Sequence, residues 1–346
     1  MGEVQGRVEV TERTDIIECE TFPMVFFAGP GTGKTYTCRA HCQYLAEQGY
    51  NVLALSFTKA AASQLAMDGV DARTIDSFYY YWLDRFDMLD KFEGRNFDYL
   101  AQQFTRLLKE HAEFKGKLQA TYDCVIVDEG QDCNRRQLAN LWEVASNEYL
   151  QIFADIDQCI YEWRYAEPNT LLEFVDYHKI KPINLDYSYR LTNQVLNHAT
   201  QLIRNNNKRF SVALQCGKDG PEVEYEETIN DIEATLKRIK EINSNDTAVL
   251  SRNVVRRTYM NSFWQQGFSR VPASHKPYAG TIHGAKGLEW KNVFIPRADM
   301  YEFKGSAIEE ERRIFYTAMT RSSSFLHITA FRPACFISEA GLRARL

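Results

Sequence analysis

No run of about 18 consecutive apolar residues occurs anywhere in this chain, and that is the least a membrane-spanning helix requires. Its 45% hydrophobic content is therefore expected to fill an interior. An excess of positive charge is also missing. A net charge of -5 excludes a protein that coats duplex nucleic acid by charge alone, so any such binding has to use a local groove and stacking. The 8 cysteines include no CxxC pair or other zinc spacing, and without a secretory signal an even count implies no disulfides. Cys38, His41 and Cys42 can share a helix face, where packing on a sheet is expected in preference to metal binding. The opening segment, "MGEVQGRVEVTERTD", is too acidic and polar for a signal or transit peptide, so a soluble, cytoplasmic protein is expected. Repeats and low-complexity tracts are absent.

What is present is an alternation. Short β-rich runs end in polar loops and lead into helical patterns: "MVFFAG" from Met24, "NVLALSF" from Asn51, "CVIVDEG" from Cys124 and "LQIFAD" from Leu150. Continuous apolar runs of that length, alternating with helices, are the mark of buried strands in a parallel sheet, and hence of an α/β fold. A second series follows "HKIKPINLDYSYR", which reads as a linker. Its strands are "VEYEE" from Val223, "TAVLSR" from Thr247, "NVFIP" from Asn292 and "FLHITAF" from Phe325, with helices near 192–206, 229–242 and 306–321. At roughly 150 residues per domain, 346 residues make two domains, drawn at 1–180 and 181–346. The aromatic and acidic segment from Tyr79 fits neither series and reads as a helical insertion over about 79–120, serving to pack a small subdomain.

"AGPGTGKT", Ala28 to Thr35, stands between the first expected strand and a helix, the setting in which the GxxxxGK[ST] pattern binds phosphate. Its glycines let backbone N–H groups turn inward around phosphate oxygens, and the helix N-terminus adds a favourable dipole. Lys34 is expected to reach the β- and γ-phosphates and the Thr35 hydroxyl to ligate Mg²⁺. "CVIVDEGQD" supplies the complement: Asp128 to hold the metal and Glu129 to orient and deprotonate an attacking water.

An ordered set of motifs then resembles the UvrD/Rep-like group of superfamily 1 helicases. "LSFTKAAASQL" is similar to that family's "FTNKAA" segment, "TIDSF" to "TFHS", "VDEGQD" to "DExQD", and "ADIDQCIYEWRYA" to "GDxxQxIYxWRGA". "DYSYRLT" resembles "xNYRST", "TIHGAKGLEW" resembles "TxHxxKGLEF", and "EEERRIFYTAMTRS" resembles "EEERRLxYVAxTRA". The resemblance implies two RecA-like P-loop NTPase domains, ATP bound through Ala28, Gly29, Pro30, Gly31, Thr32, Gly33, Lys34 and Thr35, and single-stranded nucleic acid lying across both domains. It further implies that Gln158 senses the γ-phosphate, Tyr189 stacks on the nucleotide base, Glu289 touches the ribose, and Arg190 and Arg321 neutralise the transferring phosphoryl. Phe57, Thr58, Ser77, Tyr161, Trp163, Arg164 and His283 are implied to line the nucleic-acid groove. For His283 a structural hydrogen bond is the competing expectation.

Departures accompany the matches. No glutamine lies in "RTDIIECETFP", where the family places an adenine-reading one, and Gln5 sits in the wrong context. Asp76 replaces a histidine, and Ala154 and Tyr165 replace glycines. About 24 residues separate Asn253 from Tyr278 and about 44 separate Phe78 from Asp123, where relatives carry larger insertions. The expected activity is therefore an ATP-dependent single-stranded DNA translocase or 3′–5′ helicase with reduced accessory domains, a protein partner being one source of the missing duplex contacts. A nucleotide-switched binding protein without unwinding activity and an RNA-directed enzyme are the alternatives.

Overall fold

A computed structural model describes residues 13–19, 22–89, 98–145, 149–209, 213–252, 258–272, 275–301 and 307–344. The segments with continuous apolar character form the strands. In the first unit these are β1 (Met24–Ala28), β2 (Val52–Ser56), β3 (Val70–Thr74), β4 (Cys124–Val127), β5 (Leu150–Ala154) and β6 (Ile183–Leu185). They make one six-stranded sheet in the order β3-β2-β4-β5-β1-β6, and every pairing is parallel. Parallel pairing demands crossovers, so helices cover the sheet and the central strands β1, β2, β4 and β5 are buried along their whole length. Phe26 and Phe153 stack across the β1–β5 pair, with ring centroids 4.5 Å apart. Cys38 and Cys42 of the helix Lys34–Glu47 pack into the same core, and His41 Nδ1 lies 2.8 Å from the Ile17 carbonyl.

The second unit holds two short paired strands, β7 (Tyr187–Ser188) and β8 (Gln215–Cys216), and a larger sheet. The latter comprises β9 (Glu224–Glu227), β10 (Thr247–Ser251), β11 (Tyr278–Thr281), β12 (Trp290–Ile295) and β13 (Ser322–Ala330), ordered β11-β10-β12-β13-β9 and again parallel throughout. The α/β fold with parallel sheets is the one that RecA-like P-loop domains have. The expected helices occur at Asn193–Ile203, Asp231–Ile242 and Ile308–Met319.

The stretch read as a linker instead contains β6, an edge strand of three residues paired with β1, so the first sheet continues to Leu185. Three residues beside a proline leave no apolar run to read. β3 offers no apolar run either, because "VDART" is half-buried along its length at the opposite sheet edge. Grouping by proximity assigns the chain up to Ala28, Gly33–Ala154 and Trp163–Leu185 to the first unit, and Gly29–Thr32, Asp155–Glu162 and Asp186 onward to the second.

Between β3 and β4 the described residues form helices Ile75–Arg85, Tyr99–Glu110 and Ala112–Thr121. Part of the expected insertion, 90–97, lies outside the described residues. Phe78 packs on Phe104, and within the aromatic segment Tyr79 and Trp82 turn inward against Phe104 and Phe114, as packing for a small helical subdomain requires.

Phe153→Ala should cost the first unit about 3–5 kcal/mol, because a fully buried ring leaves a cavity that the sheet cannot close. Tyr177→Ala, at an 81% exposed position of the same unit, should stay within about 0.5 kcal/mol. Denaturant midpoints of the two variants check the difference.

Candidate nucleotide and nucleic-acid sites

The helix Lys34–Glu47 begins at Gly33, whose φ of 81° is left-handed and whose missing side chain leaves the first turn without a side-chain cap. Helices starting at Lys59, Ile75, Arg135, Asn193 and Ile282 are all capped by a Thr or Asn oxygen. An uncapped first turn presents its N–H groups to an anion. A β-carbon on Gly33 would lie 2.6 Å from Arg13 Nη1, and one on Gly31, at φ 73°, would lie 2.6 Å from Ser188 Oγ. Thr32 Oγ1 donates to the Gly29 carbonyl at 2.8 Å, and Ser188 Oγ donates to the Pro30 carbonyl at 2.9 Å. Ala28, at the end of β1, is buried.

Two acids stand at the end of β4. Asp128 is fully buried, accepts from Thr35 Oγ1 at 2.8 Å and from the Glu129 N–H at 2.9 Å, and has Lys34 Nζ at 3.4 Å. Burial pushes its carboxyl above the ordinary value and neighbouring Glu129 adds to this, while Lys34 and the bonds from Thr35 and the Glu129 N–H oppose them. The donor set suits Mg²⁺: one hydroxyl and one carboxylate of hard oxygens, in a place where added positive charge relieves a desolvated anion. Glu129 carries its side chain from a left-handed backbone, φ 59°, which a non-glycine residue adopts at a cost of about 1–3 kcal/mol. Lys34 Nζ lies 2.7 Å from Glu129 Oε1, and Gln131 Nε2 donates to the other oxygen. Gln131 is buried and holds the acid's direction, a role that sequence reading did not assign.

In the second unit, Arg321 is buried and donates to the Thr317 carbonyl, to the Leu288 carbonyl, and through Nη2 to Gln158 Oε1 at 2.9 Å. Lys286 Nζ donates to the Gln158 backbone oxygen at 2.8 Å. Arg190 Nη1 pairs with Glu289 at 3.1 Å, and the Tyr189 N–H donates to the Gly31 carbonyl at 2.8 Å while its ring remains 65% exposed. Two further groups unassigned from sequence tie this loop down: Glu162 pairs at 3.0 Å with Arg313, which is 1% exposed and also meets Glu309.

The residues expected to line the nucleic-acid groove divide. In the first unit Arg164 lies over the Phe57 ring at 4.3 Å and near Trp163 at 6.0 Å. Its guanidinium also pairs with Asp76 at 2.6 Å, so the aspartate that replaces the family's histidine has a partner. Trp163 is 54% exposed. Thr58 caps the helix Lys59–Leu65 and Ser77 Oγ donates to the Thr74 carbonyl. In the second unit Tyr161 is only 8% exposed, with Lys286 Nζ 5.0 Å from its ring centre. His283 Nε2 meets the Ile160 carbonyl at 3.0 Å, the structural bond that was its competing expectation. Gln5 lies outside the described residues.

Residues 13–164 match the model of an AAA domain, and residues 278–333 match that of the UvrD-like helicase C-terminal domain. Both matches bear out the resemblance to the UvrD/Rep-like group of superfamily 1. The chain is 31% identical to "ATP-dependent DNA helicase PcrA" of Staphylococcus epidermidis over 158 residues, 44% of this chain and 22% of that protein. It is 30% identical to a "Probable DNA helicase II homolog" of Mycoplasma capricolum over 209 residues, 57% of this chain and 28% of that one. PcrA of Staphylococcus aureus matches at 30% over 205 residues, 55% and 27% of the two chains. The match thus spans about a quarter of these relatives' length.

His283 yields a pH test. Burial, with Arg252 and Lys286 adding and the Ile160 carbonyl opposing, holds its imidazole down at about 4, so the folded ring is neutral at pH 7. An unfolded chain takes up this proton near 6.5, the folded one only near 4. Its contribution to stability is therefore whole above about 6.5 and is lost as pH falls towards about 4. Thermal midpoints measured across that window should fall less steeply in His283→Gln than in the unaltered protein.

Proposed function

We propose that this protein hydrolyses ATP and uses the hydrolysis to move along single-stranded DNA, as a translocase or 3′–5′ helicase of the UvrD/Rep type. The observation that carries the reading is the cluster of Lys34, Thr35, Asp128 and Glu129. A buried carboxylate joined to the phosphate-loop hydroxyl stands beside a second carboxylate whose direction is held by Lys34 and Gln131. Binding alone needs the loop; it does not need an oriented base in a strained backbone. The aligned relatives named as ATP-dependent DNA helicases support the same activity.

Lys34 binds the β- and γ-phosphates, and Glu129 takes the proton of the attacking water. Gln158 holds Arg321 in register for the γ-phosphate, and Arg190 is the second cation. Tyr189 stacks on the base and Glu289 meets the ribose. Thr35 and Asp128 would hold Mg²⁺, which would supply positive charge to offset that of the phosphates. Arginines in such positions are worth roughly 10³–10⁵ in rate. Phe57, Trp163 and Arg164 carry the bases and backbone of the nucleic acid, with Thr58 and Ser77 beside them. Among the described residues no helix is long and apolar enough to cross a membrane, and the work proposed belongs in the cytoplasm.

Glu129→Gln should keep nucleotide binding and lower turnover by at least about 100-fold, the scale of a lost general base. Turnover is measured without nucleic acid, with single-stranded DNA and with single-stranded RNA; equal rates in all three would contradict a motor and favour a nucleotide-switched binder. Gln158→Ala should lower kcat, whereas Trp163→Ala should raise the oligonucleotide concentration needed for half-maximal stimulation.

A further inference from the structure

Tyr165 follows Trp163 and Arg164 immediately and occupies the left-handed region at φ 64°. For a residue with a β-carbon this conformation is disfavoured, and bulky side chains adopt it rarely outside functional sites. Burial gives no compensation, because the ring is 58% exposed. The strained residue follows the short helical segment Glu162–Arg164, and two large aromatic rings, Trp163 and Tyr165, stand exposed on either side of Arg164 in the chain. Arg164 itself is held by Asp76 and by the face of Phe57, which supplies a cation at a defined place beside the exposed rings. Exposed rings next to a pinned guanidinium are the combination that grips single-stranded nucleic acid: bases stack on the rings and the cation meets the backbone.

We infer that Tyr165 is a further stacking platform for single-stranded nucleic acid, extending the groove that begins at Phe57 and Trp163 by one base. The inference rests on the strand-binding part of the proposed function and adds a residue to it. It also explains why the strained position carries an aromatic residue: glycine would be at ease at that φ and would offer no ring.

The test uses the full chain and fluorescence anisotropy with labelled oligo(dT) and oligo(rU), together with thermal melts. Tyr165→Gly relieves the backbone, so its Tm should be unchanged or higher. Its affinity for oligo(dT) should nevertheless fall by about fivefold or more, the low end of one lost base stack. Tyr165→Phe keeps the ring and should bind as the unaltered protein does. If Tyr165→Gly binds with unaltered affinity while Trp163→Ala weakens binding, the inference fails and the proposed function stands. If the unaltered protein binds neither oligonucleotide, both fail. A weakening seen with oligo(rU) alone would keep the platform and make RNA its ligand.

Discussion

A carboxylate with no access to water, at the end of a central strand, constrains everything near the phosphate loop. Asp128 is tolerable there because Lys34, the Thr35 hydroxyl and the Glu129 N–H converge on it. Those partners come from the helix that follows β1 and from the turn that follows β4, so their meeting depends on the order of strands in the parallel sheet. β1 and β4 both flank β5, and their C-terminal ends open on the same edge. Removing one partner would leave a buried charge incompletely paired, which is far costlier than losing a surface ion pair.

The same economy of partners recurs around Gln158. Its side chain accepts from Arg321 and its backbone carbonyl accepts from Lys286, while Glu162 is held by Arg313 four residues further on. The segment Asp155–Glu162 is thus tied at Gln158 to Arg321, just beyond the helix Ile308–Met319, and at Glu162 to Arg313 within that helix.

Much of the fold was legible because buried parallel strands are continuous apolar runs. β1, β2, β4, β5, β10, β12 and β13 announce themselves in this way. β3 and β6 do not, since edge strands are half-solvated and need no such run; their places were decided by backbone pairing with β2 and β1. The candidate site divides similarly. Lys34, Thr35, Asp128 and Glu129 are recognisable because phosphate and metal chemistry demands those groups at that spacing. Gln131, Lys286, Arg313 and Glu162 were not, because nothing about a lone glutamine, lysine or ion-pairing residue marks its partner.

By itself the sequence determined which chemical groups are available and on which strand ends they sit, because strand burial and phosphate-loop geometry are local requirements. The tertiary structure alone decided which way the neighbouring aromatics turn. Tyr161 is packed inward next to Lys286, whereas Trp163 and Tyr165 face solvent, and Tyr165 holds a left-handed φ. Residue type permits either direction for a tyrosine. Only the packing of its surroundings selects between them.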